Sequence, residues 1–141
     1  VRKHGPERAE SIGQVDRSMM IFPNLLILDV MGIVVRKITP TSAEHTRITQ
    51  WSLASAGEGA DMRARRLENF ITFQGPGGFA TPDDLEALEA CQAGFRTGAG
   101  VPWSDISRGM HREHSGQPCC TSDERPIRAF WRRWQTLMSS G

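Results

Sequence analysis

The chain has 141 residues, of which 38% are hydrophobic, and a formal net charge of +1 at pH 7. This length suits one globular domain with a moderate core. The near-neutral charge argues against nucleic-acid binding, and no apolar run approaches the roughly 18 residues that would span a bilayer. We therefore predict a soluble protein that contacts neither nucleic acid nor membrane.

The three cysteines do not form a disulfide framework. Cys119 and Cys120 are adjacent, and Cys91 falls in a predicted helix. An odd number of cysteines without regular spacing is typical of a reducing compartment, and no secretory signal is recognisable. We predict a cytoplasmic protein. Because the first residue is Val rather than Met, both an incomplete chain and a processed one stay open.

The first half of the chain is dominated by predicted strands. Weak helical periodicity over residues 6–15 is followed by short runs rich in Ile, Val and Leu and separated by Gly and Pro. These runs favour β-strands at 18–22, 24–30 and 32–39. Residues 45–53 alternate between polar and apolar side chains. Together they predict an antiparallel meander with at least one solvated face.

The second half is predicted to be helical. Helical spacing appears between Ala60 and the Gly75-Pro76 bend, and again from Thr81 to about Phe95. Residues 96–118 are rich in glycine and predict a loop, and residues 126–138 predict a final helix. Because strands precede helices rather than alternate with them, the predicted fold class is α+β.

A glycine-rich bend leads into the helix that carries the most distinctive carboxylates. The sequence Gly75-Pro76-Gly77-Gly78 lacks the spacing of a phosphate-binding loop. After it, Thr81 is predicted to cap the helix and Pro82 to occupy its first position, while Asp83 and Asp84 complement the positive helix end.

The helical period sets Asp84 apart from its neighbour. Asp84 is predicted to head an inward apolar face, whereas Asp83 is turned aside. That face also contains Leu88, Cys91 and Phe95. An inward carboxylate without a neighbouring cation in the sequence needs a partner. Two interpretations stay open for Asp84: an ordinary carboxylate at a helix N-terminus, or a metal ligand.

Two other patterns imitate binding sites, and for each we predict an ordinary structural role. His111 and His114 are a pair in the glycine-flanked loop, and we expect both to be solvated rather than metal-bound. The Arg and Trp residues of the last helix could imitate a nucleic-acid surface. Its periodicity instead predicts a buried apolar face made of Ile127, Phe130, Trp131, Trp134, Leu137 and Met138.

Three motifs occur here in the order and at the spacing of one known family. They are Phe22-Pro23-Asn24, the run Gly75-Pro76-x-Gly78-Phe79-x-x-x-Asp83-Asp84, and Arg128-Ala129-Phe130-Trp131-Arg132-x-Trp134. The chain resembles the C-terminal part of the catalytic domain of the large (alpha) subunit of Rieske non-haem iron aromatic-ring-hydroxylating dioxygenases. It resembles the branch acting on substituted aromatic acids such as cumate, and the resemblance covers about residues 7–138.

The resemblance implies a fold and a metal. The fold would be part of a helix-grip domain (Bet v 1-like or START-like), an antiparallel sheet packed on long helices, with residues 1–141 forming one incomplete C-terminal portion. In this family a mononuclear Fe(II) is held by two histidines and one aspartate, with positions left open for O2. The second aspartate of the pair is the ligand, which implies that Asp84 is the catalytic, metal-binding residue here.

The resemblance also implies which residues line the substrate pocket. These are Leu28, Gln74 and Ala80, with Ser18 matched less closely. Relatives often carry aromatic residues at the positions of Gln74 and Ala80, so this pocket is expected to be roomier or more polar. For Leu28, a plain core position is the other interpretation.

Several parts of the family's machinery have no match in this chain. The paired-histidine motif and the CxH and CxxH motifs of the Rieske domain are absent from residues 1–141, so the chain alone is expected to be inactive. The full-length protein would pass electrons from NAD(P)H through a reductase, with or without a ferredoxin, to a Rieske [2Fe-2S] cluster. It would then cis-dihydroxylate an aromatic substrate, an aromatic carboxylate being one candidate.

The implied partners are a small beta subunit in an alpha3beta3 assembly and the electron donors. The alternative from a different class is a non-catalytic helix-grip module that binds a hydrophobic ligand without metal.

Overall fold

The computed structural model describes residues 5–98, 100 and 102–140. The chain divides into two compact units, Val1–Leu88 and Glu89–Gly141. The first unit contains the whole sheet, and the second contains the last two helices. The α+β class predicted from the sequence is confirmed.

The first unit begins with a helix and a four-stranded antiparallel sheet. Helix α1 is followed by strands in the spatial order β1-β2-β3-β4, so each strand pairs with its sequence neighbour. This is the predicted meander, formed because branched apolar residues alternate faces and Gly or Pro separates the strands. The bounds are α1 Pro6–Gln14, β1 Arg17–Ile21, β2 Leu25–Asp29, β3 Ile33–Pro40 and β4 Thr46–Ser52.

Helices make up most of the remaining chain. Helix α2 continues directly into a π-helical segment, Phe70–Gln74, which the sequence pattern did not predict. The other helices are α2 Ala60–Asn69, α3 Thr81–Phe95, α4 Met110–Ser115 and α5 Arg125–Met138. In the part of the chain described, no helix combines the length and the apolar character needed to cross a membrane.

The loop predicted for residues 96–118 is wrong in part, because α4 lies within it. This short helix runs between Gly109 and Gly116. The two glycines that indicated a loop instead mark the ends of a polar helix. His111 and His114 therefore lie on a helix rather than in a loop, and both are solvent-exposed as predicted.

The buried faces predicted for α3 and α5 are also wrong. On α3, Leu88 is 55% exposed and Phe95 is 70% exposed. On α5, Trp131 is 50% exposed, and the buried residue is Arg128. The physical reason in α5 is that the Arg128 guanidinium ion-pairs with Glu113, which turns the polar side of the helix toward its neighbours.

Candidate functional site

One face of the four-stranded sheet carries residues of the candidate site. Leu28 lies opposite Ser18 on β1 and Val34 on β3, while Arg36 lies opposite Gln50 on β4. Residues two apart in a strand point to the same face. All five side chains therefore share one face. Val34, on this face, is a buried core side chain, 1% exposed.

Arg36 is the centre of a polar cluster on this face. Its Nε atom donates a 3.0 Å hydrogen bond to Oε1 of Gln50, and Nη2 donates to Oε1 of Gln74. Its Nη1 atom lies 3.7 Å from Oδ2 of Asp84. The Arg36 side chain is only 16% exposed. The guanidinium therefore joins two strands, the π-helical segment and the start of α3.

Gln74 is held from three sides at the end of the π-helical segment. The Gln50 side-chain amide donates a 2.7 Å hydrogen bond to the Gln74 carbonyl, and the Thr81 hydroxyl donates one of 2.8 Å to the same oxygen. Gln74 is 3% exposed, so its polar atoms need these partners. Thr81 was predicted to cap α3, but its hydroxyl donates backward to Gln74 instead.

The bend after Gln74 is closed by backbone hydrogen bonds. The N–H of Gly78 donates to the Gly75 carbonyl at 2.9 Å, and the N–H of Ala80 donates to the Phe73 carbonyl at 3.1 Å. A Cβ atom at Gly78 would lie 2.8 Å from the Phe73 carbonyl oxygen. Glycine is thus required at this position because the backbone folds back on itself. The bend delivers the chain into α3 a few residues before Asp84.

Asp84 does not point inward as predicted. Its side chain is 57% exposed, because α3 buries none of its residues. The cation missing from its sequence neighbourhood is supplied by Arg36, which lies far away in the sequence but close in the fold. Asp83 is exposed as well. The two aspartates therefore differ in their contact with Arg36 rather than in burial.

Asp84 fits the role of one metal ligand, but the described residues do not complete a metal site. Across residues 5–98, 100 and 102–140, no group of three or more His, Cys, Asp or Glu side chains is placed to hold a metal ion. The 3.7 Å separation from Arg36 leaves the Asp84 oxygens accessible to another cation. A hard anionic oxygen donor of this kind suits the carboxylate position of a two-histidine, one-carboxylate iron centre. His111 and His114 belong to the second unit.

The predicted pocket residues fall into two groups. Leu28 and Ser18 are register partners on the sheet face that also carries Arg36; Leu28 is half-buried and Ser18 is exposed. Gln74 and Ala80 flank the bend, and Gln74 reaches Asp84 through Arg36. Whether these four residues contact a substrate stays a prediction.

Two residues of the cluster, Arg36 and Gln50, were missed by sequence reasoning. A signal existed for Arg36: it interrupts an apolar strand two residues after the buried Val34, and so occupies the same face. A charge at such a position is unusual unless it is paired. Gln50 gave no comparable signal, because a polar residue is ordinary in an alternating strand.

The second unit has a separate network of charged groups. Arg128 is buried, its Nε donates a 2.9 Å hydrogen bond to Oε2 of Glu113, and its Nη1 donates to the carbonyl oxygens of Ile106 and Arg108. Hydrogen bonds from Arg132 and Arg128 lower the pKa of Glu113 to about 2. These hydrogen bonds hold α4 to α5, so we interpret the network as structural.

A second carboxylate in this unit is held in the same way. Asp123 is buried, and the Arg112 guanidinium donates to both of its oxygens. The hydrogen bond from Arg112, reinforced by the backbone N–H of Cys120, holds the pKa of Asp123 well below its ordinary value. Asp123 therefore fixes the segment before α5 to α4.

Known proteins resemble this chain over most of its length. Residues 2–140 match the family model described as ring hydroxylating alpha subunit (catalytic domain). The chain is 41% identical over 105 residues to toluate 1,2-dioxygenase subunit alpha of Pseudomonas putida, covering 74% of this chain and 22% of that protein.

Two further relatives give the same picture. The chain is 36% identical over 112 residues to the 2-halobenzoate 1,2-dioxygenase large subunit of Burkholderia cepacia. It is 34% identical over 112 residues to the anthranilate 1,2-dioxygenase large subunit of Acinetobacter baylyi. Each alignment covers 79% of this chain and 24% of the relative. The chain thus spans about a quarter of the length of the curated relatives it matches.

Proposed function

Because this chain belongs to the family of ring-hydroxylating alpha subunits, within their catalytic domain, we propose that it is part of the large subunit of an aromatic-ring-hydroxylating dioxygenase. One observation carries the proposal: the family match extends over residues 2–140. The three relatives, all named as dioxygenase large or alpha subunits, support it. A metal-free hydrophobic-ligand module is not favoured, since nothing in these matches points to one.

The proposed reaction belongs to the complete protein. Electrons from NAD(P)H would reach a Rieske [2Fe-2S] cluster through a reductase, with or without a ferredoxin. Both atoms of O2 would then enter the aromatic ring as a cis-dihydrodiol. A mononuclear Fe(II) held by two histidines and one carboxylate would supply the O2 activation. The histidines and the cluster ligands would come from other parts of the large subunit.

Asp84 is the proposed carboxylate ligand of this iron. It stands in the first turn of α3, and the bend before it is fixed by hydrogen bonds to the π-helical segment. A ligand placed on a helix that follows a rigid bend is held in a defined orientation, which metal sites require. Arg36 places a positive charge 3.7 Å from Oδ2 of this carboxylate.

The proposed substrate is an aromatic carboxylate. The three relatives are named for toluate, 2-halobenzoate and anthranilate, and each of these substrates carries a carboxylate on a benzene ring. In this chain, Leu28, Gln74, Ala80 and Ser18 are the proposed pocket residues. Gln74 stands where relatives often have an aromatic residue, and its amide gives this wall a polar character.

The proposed partners follow from the same relationship. The names "large subunit" and "subunit alpha" support an assembly with a smaller subunit. We propose an alpha3beta3 complex that receives electrons from a reductase or ferredoxin. The cytoplasmic location predicted from the cysteines stays a prediction.

The test has two parts. Reading the coding sequence upstream of Val1 should reveal a paired-histidine motif and the CxH and CxxH motifs of a Rieske domain. The complete large subunit, produced with its small subunit and electron donors, should then consume O2 and NAD(P)H in the presence of benzoate and form a non-aromatic diol. Binding of benzoate without O2 consumption, in a protein lacking those motifs, would support the binding module instead.

A further inference from the structure

We propose that Arg36 is the residue that binds the anionic group of the aromatic substrate. The inference rests on the proposed function and deepens it, because it names the side chain that would select an aromatic acid over a neutral arene. Four observations on the structure lead to it.

The first observation is the position of the charge. Arg36 lies in the middle of β3, on the face that also holds Val34 and Leu28, and its side chain is only 16% exposed. Leu26 is its direct neighbour on β2. Removing a guanidinium from water into apolar surroundings is costly unless an anion compensates it. Such a site is expected to have an anionic partner.

The second observation is that the partner in the chain is a poor one. Two of the groups around Arg36, the side chains of Gln50 and Gln74, are neutral amides. The carboxylate of Asp84 lies 3.7 Å from Nη1, which is outside hydrogen-bonding distance. By contrast, Arg66, which is exposed to the same extent, and Arg128, which is more deeply buried, both approach their carboxylates to 2.8 Å.

The third observation is that donors on Arg36 are left over. Among the described residues, its Nε and Nη2 atoms have hydrogen-bond acceptors in Gln50 and Gln74, whereas Nη1 has none within hydrogen-bonding distance. Nη1 is the nitrogen on the side of Asp84. A guanidinium with free donors beside a proposed iron ligand is placed to bind a carboxylate.

The fourth observation concerns how Arg36 would orient the aromatic ring of a bound substrate. Leu26 and Leu28 present apolar side chains on the face of the sheet from which Arg36 extends. A benzoate whose carboxylate binds Nη1 would lay its ring against this apolar surface, with ring carbons close to Asp84. Anchoring one end of a substrate in this way fixes which ring carbons face the reacting centre.

The experiment compares an acid with its neutral counterpart in the complete enzyme. Benzoate and benzamide have nearly the same shape, but only benzoate is charged. The variants are Arg36→Met, Arg36→Lys and the control Arg47→Met, which removes a charge from the exposed, opposite face of the same sheet. The readouts are kcat and KM with both compounds, and the Kd of benzoate by calorimetry without O2. Iron content confirms that each variant is assembled.

Arg36→Met is expected to raise the KM and Kd for benzoate by roughly 30-fold or more, because the partly buried cation that would pair with the anion is lost. The values for benzamide should change by less than about threefold, and Arg36→Lys should fall between, since lysine keeps the charge but not the paired donors. Arg47→Met should match the wild type. Equal losses for benzoate and benzamide would overturn the proposal and make Arg36 a positioning residue.

The outcomes also separate this inference from the proposed function. If the wild-type enzyme hydroxylates benzoate and Arg36→Met binds benzoate with an unchanged Kd, the proposed function stands and the inference about Arg36 is overturned. A wild-type protein that oxidises no aromatic compound overturns the function, while the Kd of benzoate still tests Arg36. If Arg36→Met does not assemble, the Arg36→Lys variant must show a raised Kd for benzoate, or the inference fails.

Discussion

The side-chain amide of Gln50 donates a 2.7 Å hydrogen bond to the backbone carbonyl of Gln74, which joins the last strand of the sheet to the end of the π-helical segment. The same side chain accepts a hydrogen bond from Nε of Arg36. Gln50 thus uses both ends of one amide to fix the arginine and the bend together. This relationship connects the sheet to the segment that leads to Asp84.

Replacing Gln50 should loosen the bend. Gln50→Leu leaves the Arg36 Nε atom and one acceptor lone pair of Gln74 without their partner, which should lower the free energy of local opening by about 1–3 kcal/mol. Hydrogen exchange of residues 72–80 in the complete subunit measures this effect. Gln50→Glu keeps an acceptor for Arg36 but loses the donor to Gln74, so exchange in the bend should still rise. Unchanged exchange in both variants would contradict the role given to Gln50.

Asp84 and Asp83 should differ sharply in their effect on iron. Asp84→Ala in the complete enzyme is expected to abolish retention of the mononuclear iron and ring dihydroxylation, because one of three ligands is lost. The absorption spectrum of the Rieske cluster should be unchanged, which shows that the protein is folded. Asp83→Ala is the matched control and should retain iron. Wild-type iron content in Asp84→Ala would disprove the ligand assignment.

The two adjacent glycines of the bend should respond differently to the same substitution. In Gly78→Ala the new Cβ atom would meet the Phe73 carbonyl oxygen at 2.8 Å, whereas a Cβ atom at Gly77 would have no heavy atom of the described residues within 4 Å, apart from Gly77 itself and its two neighbours. We expect Gly78→Ala to destabilise the bend by about 1–3 kcal/mol and Gly77→Ala to be close to neutral. Thermal unfolding and iron content of both variants measure the difference. Equal losses would show that the tight closure at Gly78 is not limiting.

Acid should weaken the second unit through Glu113. Its pKa falls from an ordinary 4.5 to about 2 in the folded chain, because Arg132 and Arg128 bind the ionised carboxylate. A carboxyl group with a lowered pKa stabilises the fold fully above its unfolded pKa and loses that contribution as the pH falls through the folded value. The loss should therefore occur between about pH 4.5 and about pH 2.

Circular dichroism of this chain during thermal unfolding at a series of pH values can measure that loss. Glu113→Gln should lower the midpoint at neutral pH and remove part of the decline on acidification. Glu89→Gln, on the exposed surface of α3, controls for the loss of one negative charge. A decline of the same size in Glu113→Gln and the parent chain would contradict the prediction.

The secondary structure was largely predictable because its signals are local. Branched apolar residues between turn residues indicated each strand, and the helical period of its apolar residues indicated α5. Within the polar cluster, neighbouring residues indicated the helix of Asp84 and its position in the first turn, and the family resemblance singled out Gln74; whether either serves a metal or substrate site stays a prediction. Arg36, the partner of Asp84, was not predictable, since the contact depends on how β3 and the bend meet in space. The buried face of α5 was not predictable for the same reason: Arg128 is buried because Glu113, on another helix, binds it.

The π-helical segment has a consequence for how the surroundings of Arg36 can change. An α-helix turns about 100° per residue, and a π-helical turn contains an additional residue. Deleting one residue between Phe70 and Gln74 is expected to let the segment wind as an ordinary helix and to change how its residues are rotated relative to α2. The side chain that faces Arg36 therefore depends on the length of this segment as well as on the identity of its residues. A one-residue deletion here would therefore change which side chain accepts the hydrogen bond from Arg36.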